Sequence, residues 1–127
     1  MKKWLFPFAY AIISIVIFLL IGVLGVCGNG DGTGYGGVVI EALGRGNVPP
    51  KMVPGIKRAI EKNIPVVVVS RCFEGRVHES YGYEGGGKML LDLGIIFGDT
   101  LPGQKARIKL LLSINSGLSI EEIKKQF

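Results

Sequence analysis

Threonine is almost absent from this chain, which has it only at Thr33 and Thr100. His78 is the sole histidine, with no second imidazole or cysteine at metal-ligand spacing, so neither a structural nor a catalytic zinc centre is expected. Cys27 and Cys72 stand in different contexts and make no disulfide framework. The formal charge of +5 suggests nucleic acid, yet no basic run with interleaved aromatics occurs and 48% of residues are hydrophobic. A nucleic-acid partner is therefore not expected. Charge itself is missing from Trp4 to Val26, directly after Lys2 and Lys3.

Those 23 residues would make roughly 35 Å of helix, enough to cross a hydrocarbon core of about 30 Å. Residues 1–27 are thus expected to be a membrane anchor or signal segment, with residues 4–26 spanning the bilayer. Lysines before the span, and none between Val26 and Arg45, predict a single-pass membrane protein with its C-terminal domain extracytoplasmic. Secretion after signal cleavage is one alternative, although the apolar region is longer than the about 7 to 15 residues usual for a signal. A lipoprotein is another, since Leu24-Gly25-Val26-Cys27 resembles a lipidation box, with Val26 a poor fit before the cysteine. Residues 28–34, Gly-Asn-Gly-Asp-Gly-Thr-Gly, read as a flexible linker. Their single aspartate does not make a calcium loop.

Residues 35–127 suit one small domain. Val38-Val39-Ile40 and Val66-Val67-Val68-Val69 are continuous apolar runs, the pattern of parallel strands covered on both faces. Between them Met52, Val53, Ile56 and Ile60 share one face of a helix that Pro50 can open and Asn63 can close, giving one right-handed βαβ unit. Lys88 to Leu93 predicts a short helix ended by Gly94, and Ile95-Ile96-Phe97 a third strand. After Pro102, Ala106, Leu110, Leu111 and Ile114 line a helix that stops at Gly117. Ser119 to Glu122 forms a capping box, with Leu118 and Ile123 as its hydrophobic staple. The expected fold class is α/β: a small parallel sheet of three to four strands with flanking helices, preceded by one N-terminal transmembrane helix.

In such sheets ligands bind beyond the carboxyl ends of the strands. The segments there are Gly44-Arg45-Gly46-Asn47-Val48-Pro49-Pro50, Ser70-Arg71-Cys72-Phe73-Glu74-Gly75-Arg76-Val77, Tyr81-Gly82-Tyr83-Glu84-Gly85-Gly86-Gly87-Lys88 and Leu101-Pro102-Gly103-Gln104-Lys105-Ala106-Arg107. The run Gly85 to Lys88 lacks the spacing of a phosphate-binding loop. Arg71, Arg76 and Arg107 are placed to pair with Glu74 or Glu41, or to serve a subunit interface. Taken in order, the four segments resemble the C-terminal domain of the bacterial-type L-asparaginases, the asparaginase/glutaminase family, from about Gly34 to Phe127.

The resemblance implies hydrolysis of L-asparagine to L-aspartate and ammonia, with no cofactor and no metal. It implies L-asparagine or L-glutamine as ligand, and a neighbouring N-terminal asparaginase domain or homo-oligomer as partner. In that family a threonine nucleophile and its assisting residues lie in an N-terminal domain, whereas the C-terminal domain of a neighbouring subunit completes the pocket. By the match of motifs, Asn47 corresponds to the family's asparagine in Gly-x-Gly-Asn and Glu84 to its acidic residue that meets the substrate's amino group. Both side chains can accept from an ammonium. Asn47 could equally cap the helix that Pro50 opens, and Glu84 could be a solvated loop carboxylate. Thr33 and Thr100 belong to no motif like the family's nucleophile segments, so no catalytic residue is assigned and these residues alone are expected to be inactive. The competing expectations are a membrane-tethered noncatalytic module for amino acids or protein partners, or a truncated gene product.

Overall fold

The computed structural model describes residues 23–27 and 35–127. Its elements are β1 (Val23–Cys27), β2 (Tyr35–Ala42), a 3₁₀ turn (Pro50–Met52), α1 (Val53–Glu61), β3 (Val66–Ser70), α2 (Gly87–Asp92), β4 (Ile96–Phe97), α3 (Gly103–Asn115) and α4 (Ile120–Gln126). One sheet of order β1-β2-β3-β4 carries them. β2, β3 and β4 are parallel, whereas β1 is antiparallel to β2.

The small parallel sheet with flanking helices is therefore present, but its fourth strand comes from the apolar run. Val23 to Val26, expected at the end of a membrane-crossing helix, extend with Cys27 along β2, Val23 opposite Ile40 and Cys27 opposite Tyr35. The physical reason lies in β2: without β1 its outer edge would leave a row of backbone N–H and C=O groups unpaired. Val23 and Val26 are β-branched and suit a strand. Residues 1–22 of the expected anchor and the linker at 28–34 lie outside the described residues. Because β1 precedes that linker, residues 28–34 join two paired strands. Among the described residues, no helix is long and apolar enough to cross a membrane.

The valine runs fill both faces of the sheet by simple alternation. Ile40, Ala42, Val66 and Val68 pack with Val53 and Ile56 of α1 and Leu90 of α2. Val39, Val67, Val69 and Ile96 point the other way, against Ala106 and Leu110 of α3 and Ile123 of α4. Leu111, Ile114 and Leu118 pack on the edge of this second cluster. Helices thus cover both faces, and every parallel strand delivers its carboxyl end to one edge.

The helix ends follow their sequence signals. Asn63 adopts φ 56° after α1, with Asn63 N donating to Ile60 O and Ile64 N to Ala59 O. Gly94 and Gly117 close α2 and α3 through the same paired bonds, Gly94 N to Leu91 O with Ile95 N to Leu90 O, and Gly117 N to Ile114 O with Leu118 N to Ser113 O. These are Schellman closures, which need a residue tolerant of the left-handed conformation. At α4, Glu122 N donates to Ser119 Oγ at 3.3 Å and Ser119 N to Glu122 Oε2 at 2.8 Å, the reciprocal capping box.

Candidate functional site

β2 ends in a tight turn that folds back on itself. Leu43 N donates to Asn47 O at 3.0 Å, while Asn47 N and Gly46 N both donate to Leu43 O at 3.1 Å. Two residues in the left-handed region, Gly44 at φ +52° and Gly46 at φ +106°, allow the reversal. Ser70, the last residue of β3, donates its hydroxyl to Gly44 O at 2.6 Å and accepts from Cys72 N at 3.1 Å. One hydroxyl therefore holds the turn after β2 to the start of the loop after β3.

That loop runs along the carboxyl edge and is fastened at several points. His78 N donates to Arg45 O at 2.8 Å and Val77 N to Asp99 O at 3.3 Å. Arg76 forks onto Asp99, with Nε on Oδ1 and Nη2 on Oδ2 at 3.2 Å. The hydrogen bond from Arg76, ahead of its charge, holds the Asp99 carboxyl below the usual carboxylate range, and the carboxylate in turn raises the guanidinium. Arg76 thus pairs with Asp99 rather than with Glu74 or Glu41 as its sequence neighbourhood suggested. Asp99 itself sits at φ 51°, a conformation in which Asp is better tolerated than most residues.

The loop before α2 carries Glu84. Lys88 N donates to Tyr81 O and Gly86 N to Tyr83 O, winding the loop tightly, and the Tyr81 and Tyr83 rings lie 5.6 Å apart. Val48 N then donates to Gly85 O at 2.9 Å. Gly85 has φ +86°, and a Cβ there would lie 2.2 Å from Val48 O, so only glycine permits this approach. Asn47 and Glu84 are the residues immediately before the two that bond. The fold therefore brings together the two segments singled out from sequence, one residue away from each candidate side chain.

Their environments differ. Glu84 is exposed, free to meet a ligand or solvent. Asn47 Oδ1 is buried and has no hydrogen-bond partner among the described residues. Asn47 does not cap the following helical turn: that turn starts from Pro49 and has no side-chain cap bond. An acceptor held out of water without a donor costs about 1–3 kcal/mol, and a donor brought in from outside would recover it. The chemistry offered is that of two acceptors, one neutral and enclosed, one anionic and open, suited to an ammonium or amide donor. Thr100 is exposed in the turn before α3, whereas Thr33 lies outside the described residues. Ser70 opens one of the four segments singled out from sequence but was given no role there, and Asp99 lay in none of them; an aspartate after Gly98 was the available signal.

This architecture and edge have counterparts in known proteins. The profile of the Glutaminase/Asparaginase C-terminal domain matches residues 31–127. A probable L-asparaginase of Deinococcus radiodurans is 44% identical over 91 residues, covering 72% of this chain and 27% of the relative. A glutamyl-tRNA(Gln) amidotransferase subunit of Methanobrevibacter smithii is 37% identical over 92 residues, 72% of this chain and 21% of that protein. Among solved structures, L-asparaginase I of Vibrio cholerae superposes with a TM-score of 0.58 at 32% identity, covering 69% of this chain and 26% of that one. The chain spans only about a quarter of the length of these relatives. With the profile extending over nearly all of the described residues, the chain belongs to the glutaminase/asparaginase C-terminal domain family.

Proposed function

We propose that this domain is the amino-acid-holding part of an asparaginase-type amidohydrolase, with Asn47 and Glu84 accepting from the ammonium of L-asparagine or L-glutamine. The observation that carries the reading is the Val48–Gly85 backbone bond, which sets an unpartnered, buried Asn47 Oδ1 beside the loop of an exposed Glu84. A charge-assisted hydrogen bond of this kind contributes about 1.5–3 kcal/mol, so each side chain accounts for roughly 10- to 100-fold in affinity. The relatives include both asparaginases and amidotransferase subunits. Recognition of an amino acid bearing a side-chain amide is the property that such proteins could share.

Hydrolysis needs more than holding. An activated nucleophile must attack the side-chain amide, and loss of one in a well-studied hydrolase costs on the order of a million-fold. Thr33 and Thr100 belong to no motif like the family's nucleophile segments, so on this reading the reaction, L-asparagine to L-aspartate and ammonia, depends on threonines supplied by another domain or chain. Residues 4–22 support a membrane attachment: lysines on one side of an uncharged run, with the domain extracytoplasmic.

The test is calorimetric titration of the full-length protein with L-asparagine, alongside ammonia release with and without a supplied asparaginase N-terminal domain. The proposal expects binding weakened by Asn47→Ala and by Glu84→Ala, no ammonia from the chain alone, and turnover on complementation. Binding unchanged in both variants would overturn the site assignment. Ammonia from the chain alone would overturn the dependence on an outside nucleophile.

A further inference from the structure

α1 leaves part of the sheet beneath it open. Between this helix and β2 lies a groove of about 300 Å³, lined by none of the residues of the carboxyl-edge segments. Val38, Ile40 and Val66 form its floor, and Met52 of the 3₁₀ turn with Ile56 of α1 forms its wall. Ile40, Ile56 and Val66 are buried, whereas Val38 and Met52 pack against the core and remain half-buried.

Gly55 keeps the groove open. Glycine inside a helix is less stable than alanine, and here neither backbone nor packing calls for it: its φ is not positive, and a Cβ would meet no heavy atom within 4 Å. What Gly55 supplies is space in the lining. Charge at the mouth has one sign. Lys51 and Arg58, two helical turns apart, are both exposed, and neither side chain has a hydrogen bond or ion pair with a described residue. Among the described residues no acidic side chain lines the groove. An apolar cavity with a few charged groups at its rim has the composition of a small-molecule site.

We propose that this groove binds a medium-chain carboxylate, its alkyl tail laid over Val38 and Ile56 and its carboxylate held by Arg58 and Lys51. A neutral apolar ligand would leave both cations unused, and a short polar anion would leave the apolar floor uncovered. The planar guanidinium of Arg58 suits a carboxylate, and the flexible stem of Lys51 lets its ammonium reach the same group. Asn47 and Glu84 take no part in the groove, so a neighbouring domain can meet them at the carboxyl edge while the groove is filled. The site is therefore independent of the amino-acid site proposed above.

The test is calorimetric titration of the full-length protein in phosphatidylcholine nanodiscs with octanoate, against 1-octanol as the neutral probe and with empty nanodiscs subtracted. The expected result is saturable uptake of one octanoate per chain, with 1-octanol about tenfold weaker or more. Lys51→Gln combined with Arg58→Gln should weaken octanoate by about the same factor and leave 1-octanol unchanged. Gly55→Leu should remove both probes by filling the groove, with an unchanged circular dichroism spectrum. No saturable uptake above empty nanodiscs would overturn the site, as would octanoate binding that survives Gly55→Leu. Equal affinity for the two probes, or indifference to the double charge substitution, would overturn the carboxylate assignment. The charge variant alters only exposed side chains, so it decides the matter even where Gly55→Leu disturbs α1.

Discussion

Truncating Asn47 to alanine should stabilise the fold while weakening the ligand. Its Oδ1 is buried without a donor, which penalises the native state by about 1–3 kcal/mol relative to an unfolded chain whose amide is solvated. The turn does not need the side chain, because Leu43 and Asn47 exchange backbone bonds at 3.0 and 3.1 Å that any residue could make. Alanine forfeits packing by the removed amide, about 1 kcal/mol if it counts as one buried methylene. The balance is a net gain of about 0–2 kcal/mol. Urea unfolding of the full-length protein in detergent, followed by far-ultraviolet circular dichroism, should show a midpoint equal to or above that of the parent with an unchanged slope. L-asparagine affinity should fall roughly 10- to 100-fold in the same variant. A loss of stability above about 1 kcal/mol would refute the reasoning, since it would mean that Oδ1 is satisfied within the folded protein and holds the turn together.

Gly85→Ala should destabilise the protein by at least about 2 kcal/mol, combining a backbone at φ +86° with a Cβ 2.2 Å from Val48 O; near-parent stability in the same urea assay would show that the clamp is not fixed. Ser119→Ala removes the cap of α4 and should cost about 1 kcal/mol, read as a shift of the thermal midpoint. Asp99 and Glu122 both have folded pKa values below the ordinary carboxylate value, Asp99 chiefly through the hydrogen bond from Arg76 and Glu122 through the backbone of Ser119. Their contribution is complete above the unfolded value near about 4 and is lost as pH falls through the lower folded values, so Asp99→Asn should flatten the acid limb of the stability profile. An unchanged limb in Asp99→Asn would show that the Arg76 fork is not populated in solution.

Much of the fold was legible because its signals are local. Val66 to Val69 cannot alternate between core and solvent, so a strand buried on both faces was the economical reading, and the structure splits those four valines evenly between two clusters. Asn63, Gly94, Gly117 and the Ser119 box act within a few residues of the helix ends they close. β1 was not legible for the opposite reason. Within a run that is apolar throughout, no periodicity separates strand from helix, and only the unpaired edge of β2, a long-range feature, decides it. The Arg76–Asp99 fork spans 23 positions and was equally hidden, since Glu74 was nearer in sequence and Glu41 at the end of the neighbouring strand.

The candidate site was legible as residue types and invisible as geometry. The carboxyl edge is held by backbone groups and by glycines that let backbones approach: Val48 N on Gly85 O, His78 N on Arg45 O, and the closed Leu43–Asn47 turn. Among the side chains that bind there, Ser70 and the Arg76–Asp99 pair fasten the flanks. Neither Asn47 nor Glu84 contributes a side-chain bond to this scaffold: one amide oxygen is buried without a partner, and the carboxylate stands in an exposed loop. A fold that needed only stability would place an apolar residue where Asn47 is and would be indifferent to the charge at Glu84. Under the proposed function, the scaffold holds in place two acceptors that it does not itself satisfy, and a donor on a bound amino acid would complete them.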